Sequence, residues 1–327
     1  CLRFVHVGCF GYGRDITPNI DDLASRGALF LQAISSGGQT PFAFPSILAS
    51  ALPPLNPNED REIMRRSTTL AEVLKGAGYS TGGFHSNLQL AGLFNYGRGF
   101  DIFEDSLSKT SRVRRQQLRL EGRLERPSEL SLSEVDILID LYDAEIMCVV
   151  NAVGQLLSSL RSDLANTIVV VTADHGDEFG EHGKFTHQTL YDGIVHVPLI
   201  IAGRGINGGT IVKQQVSLLD LAPTLTNLVG IDDVPGFQGE SLLPVIKGEE
   251  RAAKGTISTL IEQAQRRIAY RIPGWKYIRT ESLDASETVL AEEVYDLTSD
   301  SGEAMNLHNI DNEEAKNFEL EARNKLS

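Results

Sequence analysis

Runs of apolar residues divide the chain into predicted strands and helices. A β-branched run over residues 169–171, bounded by a sharp change in composition, predicts a fully buried strand. Residues 28–34 and 195–201 predict two more strands of the same kind. Apolar positions at helical spacing predict a long helix over residues 132–160, and Thr17 followed by Pro18 predicts the start of a shorter one. Strands interspersed with helices predict an α/β protein.

The pattern changes after Gly255. Short segments over residues 256–261, 267–271 and 275–279 are typical of antiparallel strands, and Pro273 with Gly274 predicts a turn between the last two. The length of 327 residues accommodates one large α/β domain with a smaller appendage, or two modest domains. We therefore expect a separate small sheet at the C-terminal end of the chain.

A carboxylate and an imidazole follow the strand predicted over residues 169–171. Asp174 and His175 stand side by side there, and Gly176 lets the backbone turn close to a ligand. In an open α/β sheet, ligands bind beyond the carboxyl ends of the strands. An oxygen and an imidazole nitrogen suit Zn, Mn or Mg. The alternative interpretation is an acidic turn in which Asp174 caps a helix.

Thr40 follows a glycine-rich turn and stands near the predicted start of a helix. The free N–H groups at such a helix end stabilise an anion, which suits a nucleophile facing a phosphate or sulfate. The alternative is that Thr40 only caps the helix. His85 and Asn87 end another predicted strand and are candidate contacts for a bound oxyanion, although a histidine in this position is often structural.

Charge and composition exclude some classes of function. The net charge of −14 argues against nucleic-acid binding, because affinity for a phosphate backbone comes from Lys and Arg. A basic run over residues 109–126 predicts an exposed helix or a contact for an anion. No apolar run is long enough to span a membrane and no signal-peptide pattern is present, so we expect a cytoplasmic protein. The three cysteines have no metal-site spacing, and we expect small core residues.

Two longer phrases resemble a known family. The run TADHGDEFGEHG, followed by His187 and by Tyr191 with Asp192, resembles the second metal-binding segment of the sulfatase family within the alkaline phosphatase superfamily. The run CFGYGRDITPNIDDLASRGALF resembles the opening segment of that family, which usually follows a strand ending in a metal-binding Asp. We expect that carboxylate just before Cys1, and hence a chain truncated at its N-terminus.

The resemblance implies a central, mostly parallel sheet between helices, with a catalytic domain over residues 1–250 and a small α+β subdomain over 251–327. It also implies a divalent metal ion (Ca, Mg, Mn or Zn) held by Asp174, His175 and Thr40. Thr40 stands at the nucleophile position, but Phe42 and Phe44 replace the Pro and Arg of the formylglycine motif. We therefore expect no formylglycine.

His187 stands where sulfatases commonly carry a sulfate-binding Lys. We expect it to bind the oxyanion with His85 and Asn87, to act as a general acid beside Thr40, or to bind a second metal ion when neutral. The implied activity is hydrolysis of a sulfate or phosphate ester, or of a phosphonate monoester, of a small molecule, saccharide or lipid. The alternatives are a non-catalytic or impaired relative that keeps the fold for binding, and a phosphotransferase acting on surface polymers, which would need a membrane anchor.

Overall fold

A computed structural model describes residues 1–53, 64–87, 90, 95–105, 130–160, 164–252, 254–284 and 288–326. The basic run over residues 109–126 lies outside these ranges. The strands are β1 Gly27–Ile34, β2 Gly82–His85, β3 Ile102–Asp105, β4 Ile168–Thr172, β5 Glu178–Phe179, β6 Phe185–Thr186, β7 His196–Gly203, β8 Thr210–Ser217, β9 Thr256–Glu262, β10 Gln265–Ile272, β11 Trp275–Ser282 and β12 Val289–Asp296. The helices are α1 Pro18–Ser25, α2 Thr40–Ala49, α3 Leu70–Gly76, α4 Leu132–Ser159, α5 Asp192–Val195, α6 Leu221–Leu228, α7 Leu243–Ile246 and α8 Glu313–Leu326.

The central sheet has four strands in the order β4-β7-β1-β8. β7 runs antiparallel to both β4 and β1, and β8 runs parallel to β1. Three of the four strands therefore point the same way and β7 alone opposes them. The predicted α/β class is confirmed. The sheet is mixed, because β7 forms antiparallel pairs with both of its neighbours. A separate parallel pair, β2 with β3, carries His85 at the end of β2.

The prediction of a fully buried strand before Asp174 is wrong. Every residue of β4 is half-buried. Within the described part of the chain β4 pairs with β7 along one side only, so it is an edge strand of the central sheet. An apolar β-branched run indicates contact on both faces but does not reveal how many strands flank it.

Helices cover both faces of the central sheet, as the alternation of side chains along a strand requires. On one face Phe30 of β1 and Leu199 of β7 pack with α2 and α6, through Leu48 and Leu221. On the other face the neighbouring strand residues pack with α1 and α4, through Ile20, Leu23, Tyr142, Ile146 and Val150. The predicted long helix is thus observed as α4 and buries its apolar stripe. None of the described helices is long and apolar enough to cross a membrane.

The C-terminal sheet has the order β12-β11-β10-β9, and every neighbouring pair is antiparallel. The predicted turn at Pro273 and Gly274 joins β10 to β11, and α8 packs on one face through Phe318. Thr259 of β9 bridges Gly37, in the loop that precedes Thr40. The small sheet therefore supports the loop that presents the predicted nucleophile. The boundary near residue 250 remains a prediction.

Candidate active site

The site lies where β1, β2 and β4 end. β1 leads through residues 35–39 into α2, which begins at Thr40, and β4 leads into Asp174 and His175. β1 and β4 point the same way because both run antiparallel to β7, so their carboxyl ends share one edge of the sheet. Asn87 comes two residues after β2. The topology thus brings together residues that are far apart in the sequence.

Thr40 lies at the centre of a buried set of hydrogen bonds. Its Oγ1 donates to Oδ2 of Asp174 at 2.7 Å and accepts from Nδ2 of Asn87 at 2.8 Å. The Thr40 side chain is almost fully buried. A hydroxyl has one proton and two lone pairs, so these two contacts leave one lone pair of Thr40 for a third partner. The hydroxyl is oriented and still able to attack.

His175 and His187 form the second half of the site. Their ring centroids lie 4.6 Å apart, and Nδ1 of His175 lies 2.9 Å from the carbonyl oxygen of Gly176. A donated bond from Nδ1 to that carbonyl leaves Nε2 as the basic nitrogen. Nδ1 of His187 lies 3.4 Å from Oδ1 of Asp177. Both imidazoles therefore have a partner that fixes the orientation of the ring.

Burial and neighbouring charge set the protonation states. Burial opposes ionisation of Asp174, but the attraction of His175 and the hydrogen bond from Thr40 act against it, and the pKa of Asp174 lies well below its usual range. Burial lowers the pKa of His175 to about 4, against the attraction of Asp174. Near neutral pH the pair is a carboxylate and a neutral imidazole. Metal ligands must be in these states.

The donor atoms also fit a divalent metal ion. Nε2 of His175 lies 3.4 Å from Oδ2 of Asp174. Two ligands on a tetrahedral ion with bonds of about 2.1 Å are separated by about 3.4 Å. A nitrogen of His187 and the sulfur of Cys1 lie with a His175 nitrogen in a group whose atoms are all within 4.8 Å of one another. The residues at the end of β4 thus match both the spacing and the chemistry of such an ion.

The predicted site residues differ in how closely they gather. Thr40, Asp174 and Asn87 are joined directly by hydrogen bonds, and His175 stands beside His187. The ring of His85 packs against Phe103, and its Nδ1 accepts a long hydrogen bond from the backbone of Asn87. His85 therefore supports the turn that carries Asn87. The roles assigned to all six residues remain predictions.

Sequence reasoning missed Cys1, Ser35 and Asp177. The cysteines were expected in the core, but Cys1 is exposed and Cys9 and Cys148 are half-buried, so that expectation is wrong. Cys1 Sγ lies 3.9 Å from Nε2 of His175. The hydroxyl of Ser35 donates to the carbonyl of Asp174 at 2.5 Å and so ties the ends of β1 and β4 together. Of these three residues, only Asp177 could have been identified from the sequence, because it lies two residues after His175 in the same loop.

Comparison with known proteins adds a family to this geometry. The profile described as "Sulfatase" matches residues 2–120 and 103–231, and the profile described as "N-sulphoglucosamine sulphohydrolase, C-terminal" matches residues 180–327. Arylsulfatase K of Danio rerio is 30% identical over 171 residues, which are 47% of this chain and 30% of that protein. Choline-sulfatase of Rhizobium meliloti (strain 1021) is 35% identical over 176 residues, which are 51% of this chain and 32% of that protein.

The chain thus spans about a third of the length of these relatives. Among solved structures, a 2-O GAG sulfatase superposes with a TM-score of 0.80 at 19% identity, covering 99% of this chain and 89% of its own. At this identity the superposition supports the fold alone. The α/β fold with its small C-terminal sheet is therefore a known architecture.

Proposed function

Because the chain belongs to the sulfatase family of the alkaline phosphatase superfamily, we propose that it hydrolyses sulfate or phosphate esters with Thr40 as the nucleophile. The observation that carries this proposal is the hydroxyl of Thr40, which donates to Asp174, accepts from Asn87 and keeps one lone pair. It stands at the first position of α2, where the positive end of the helix dipole favours an anion.

The reaction divides into two balanced steps. In the first, Oγ1 of Thr40, oriented by its hydrogen bond to Asp174, loses its proton to solvent and forms a bond to the phosphorus or sulfur atom, while the ester bond to the leaving oxygen breaks. The leaving oxygen takes up a proton and departs as an alcohol. In the second, water attacks the threonine ester, the bond to Oγ1 breaks, and Thr40 regains a proton. The sum is ester plus water giving alcohol plus the inorganic oxyanion.

Sulfatases generally use a divalent metal, and Asp174 with His175 would hold it here, with His187 and Cys1 close by. Such an ion supplies positive charge to the non-bridging oxygens and lowers the pKa of a bound hydroxyl. Thr40 belongs to the same set, because its Oγ1 lies 2.7 Å from Asp174 Oδ2. Metal dependence of turnover is part of the proposal.

His187 contributes a hydrogen-bond donor where sulfatases commonly carry a lysine. Its ring is stacked obliquely on that of His175 and is partly open to solvent. A ring N–H donates to an oxyanion or passes its proton to the leaving oxygen, and Asp177 holds the ring for either task. We propose that His187 contacts the oxyanion, and that His85 acts through the position of Asn87.

The substrate is proposed as a small-molecule, saccharide or lipid ester. The relatives' names point to sulfate esters of aryl groups and choline, whereas the absence of the formylglycine motif around Thr40 leaves phosphate esters equally compatible with the site. A threonine has no second hydroxyl on the same carbon, so water must release its oxyanion by direct attack on phosphorus or sulfur. Turnover of matched sulfate and phosphate esters distinguishes the two classes of substrate.

The test is turnover of 4-nitrophenyl sulfate and 4-nitrophenyl phosphate, with a divalent metal and with a chelator. Thr40→Ala should abolish turnover while leaving the thermal unfolding midpoint close to wild type, and Thr40→Ser should retain it because the hydroxyl remains. Rapid acid quenching followed by peptide mass spectrometry should find the added oxyanion on Thr40 and no formylglycine. Binding of either ester without turnover by the metal-loaded wild type would favour the non-catalytic alternative, and unchanged turnover by Thr40→Ala would exclude Thr40 as the nucleophile.

A further inference from the structure

An open cleft lies between the 178–191 segment and the C-terminal sheet. Its volume is about 340 Å³, which is within the range of small-ligand sites. Lys184 and Gln188 line it from the central domain, and Gln265 and Arg267 line it from β10. It is thus built by both parts of the chain. The residues used in the proposed hydrolysis do not line it, with His187 next in sequence to Gln188.

Two cations in this cleft have no acidic partner. Neither Lys184 nor Arg267 has a carboxylate within ion-pair distance in the described part of the chain, and the only side-chain hydrogen bond found there for Arg267 is a long one to Gln265. Other cations of the same sheet are paired, as Arg266 is with Glu281. In a chain with a net charge of −14, two unpaired cations facing one cleft form a local positive site.

The acidic residue in the cleft wall is already engaged. Glu293 accepts hydrogen bonds from the hydroxyls of Tyr191 at 2.7 Å and Tyr295 at 2.6 Å, both on the same oxygen. The two phenols orient this carboxylate, which keeps its charge but forms no ion pair with Lys184 or Arg267 among the described residues. His182, which also lines the cleft, is stacked on Tyr191 and hydrogen-bonded to Glu178. Lys184 and Arg267 therefore remain the groups available to a ligand.

The cleft is continuous in sequence with the reaction centre. His187, beside His175, is followed directly by Gln188, so their Cα atoms are about 3.8 Å apart. We propose that this cleft is a subsite for a second anionic group on the substrate, a carboxylate or a second sulfate, bound by Lys184 and Arg267 with the two glutamine amides. This inference rests on the proposed ester hydrolysis and narrows its substrate to esters that carry a further negative charge.

The test compares esters that differ only in that charge. The probes are sulfate and phosphate esters of 4-hydroxyphenyl acids with acetate, propanoate and butanoate arms, each beside its neutral amide, and a parallel set with a sulfonate on the arm. Because the arm is saturated, the acidity of the leaving phenol is nearly the same in every ester. At the best arm length the wild type should prefer the charged ester over its amide by about tenfold in kcat/KM, the effect expected of hydrogen bonds to a charged group.

The double variant Lys184→Gln, Arg267→Gln should lose that preference. The matched control is Arg204→Gln, Lys213→Gln, which removes the same charge from positions away from the cleft and should keep it. A preference kept in Lys184→Gln, Arg267→Gln would overturn the subsite, and an equal loss in both double variants would assign the effect to overall charge and overturn it as well. No preference in the wild type at any arm length would overturn it as well, and the carboxylate and sulfonate sets show which anion is taken.

A binding measurement separates this subsite from the proposed reaction. Arylmethanesulfonates with the same charged arms resemble the esters but cannot be hydrolysed, and their Kd is measured by calorimetry. Tighter binding of the charged member, lost in Lys184→Gln, Arg267→Gln and kept in the control, supports the subsite even if no ester is turned over. If the wild type bound the charged and neutral members equally and still turned over esters, the proposed hydrolysis would stand and the proposed subsite would be overturned.

Discussion

At the scale of single residues, the site depends on contacts that span most of the chain. Asn87 donates to the Thr40 hydroxyl and Asp174 accepts from it, so three separate loops fix one oxygen atom. Each side chain was a candidate by its position after a strand, but the sequence carries no signal for the hydrogen bonds between them. Those bonds follow from the direction of β1 and β4, which only the pairing with β7 determines.

Asn87→Ala should lower kcat about tenfold, because the hydroxyl of Thr40 loses a donor that orients it for attack. The KM for an aryl ester should change less, since the amide contacts the nucleophile in this structure. Asn207→Ala, in the exposed turn before β8, is the control. Steady-state kinetics on both variants decide the matter, and an unchanged kcat for Asn87→Ala would remove this residue from the site.

His196 makes stability depend on pH. It is buried at the start of β7, and burial lowers its pKa to about 4, against the attraction of Asp192. A histidine whose folded pKa lies below the unfolded value contributes stability above the unfolded pKa, near 6.5, and loses it as the pH falls toward the folded pKa. This single group should therefore cost about 2 kcal/mol of unfolding free energy between about pH 7 and about pH 5.

Urea unfolding of the wild type and of His196→Gln at these two pH values measures the contribution. The variant cannot take up a proton at this position, so its stability should fall less between them, by about the same 2 kcal/mol. Its Nε2 partner, the carbonyl of Leu31, can still accept from the glutamine amide. Equal losses for the two proteins would show that His196 is not a source of the pH dependence.

At the scale of elements, apolar patterning predicted β1, β7, α4 and the three strands β9, β10 and β11 within a few residues. β1 and β7 are buried on both faces and are visible as continuous apolar runs, whereas α4 buries one stripe at helical spacing. β4 was misjudged because burial of a strand depends on its neighbours, which are distant in sequence. Gly176 was expected to make room for a ligand, yet a Cβ there would lie 2.1 Å from the carbonyl oxygen of Gly193. The glycine is required by backbone packing.

Gly37 fixes the loop that delivers Thr40 to the site. A Cβ at this position would lie 2.4 Å from the backbone carbon of Phe42, inside α2. Gly37→Ala should therefore displace the start of α2 and lower the unfolding free energy by about 1 to 3 kcal/mol, with a matching loss of turnover. Gly76→Ala is the control, because a Cβ at the end of α3 meets no atom within 4 Å. Differential scanning calorimetry should show a lower midpoint for the first variant alone.

At the scale of the whole molecule, the α/β class and the small C-terminal sheet could be predicted from the order of apolar runs and from the family resemblance. The connection between them could not. Asp192, before β7, is joined to Arg271 of β10 and Lys276 of β11 by ion pairs of 2.9 and 2.7 Å. Charged residues scattered through a sequence give no indication of which ones become buried together, because their burial depends on the finished packing.

Lys276 is the buried centre of this connection. It is fully buried, and its Nζ also lies 2.8 Å from Glu303. Burial raises the pKa of Glu303 to about 7, against the attraction of Lys276, whereas Lys276 and Arg271 hold the pKa of Asp192 well below its usual range despite burial. Lys276→Met should cost about 3 to 5 kcal/mol of unfolding free energy, because it leaves Glu303 buried without its cationic partner and Asp192 with Arg271 alone. A second change, Glu303→Leu, should restore part of that loss and keeps the test open if the single variant does not fold.

Urea unfolding followed by fluorescence of Trp275, in the C-terminal sheet, and by circular dichroism of the helices should give coincident transitions in the wild type. A loss under about 1 kcal/mol in Lys276→Met, or no recovery in the double variant, would show that the buried lysine does not stabilise the junction between the two sheets.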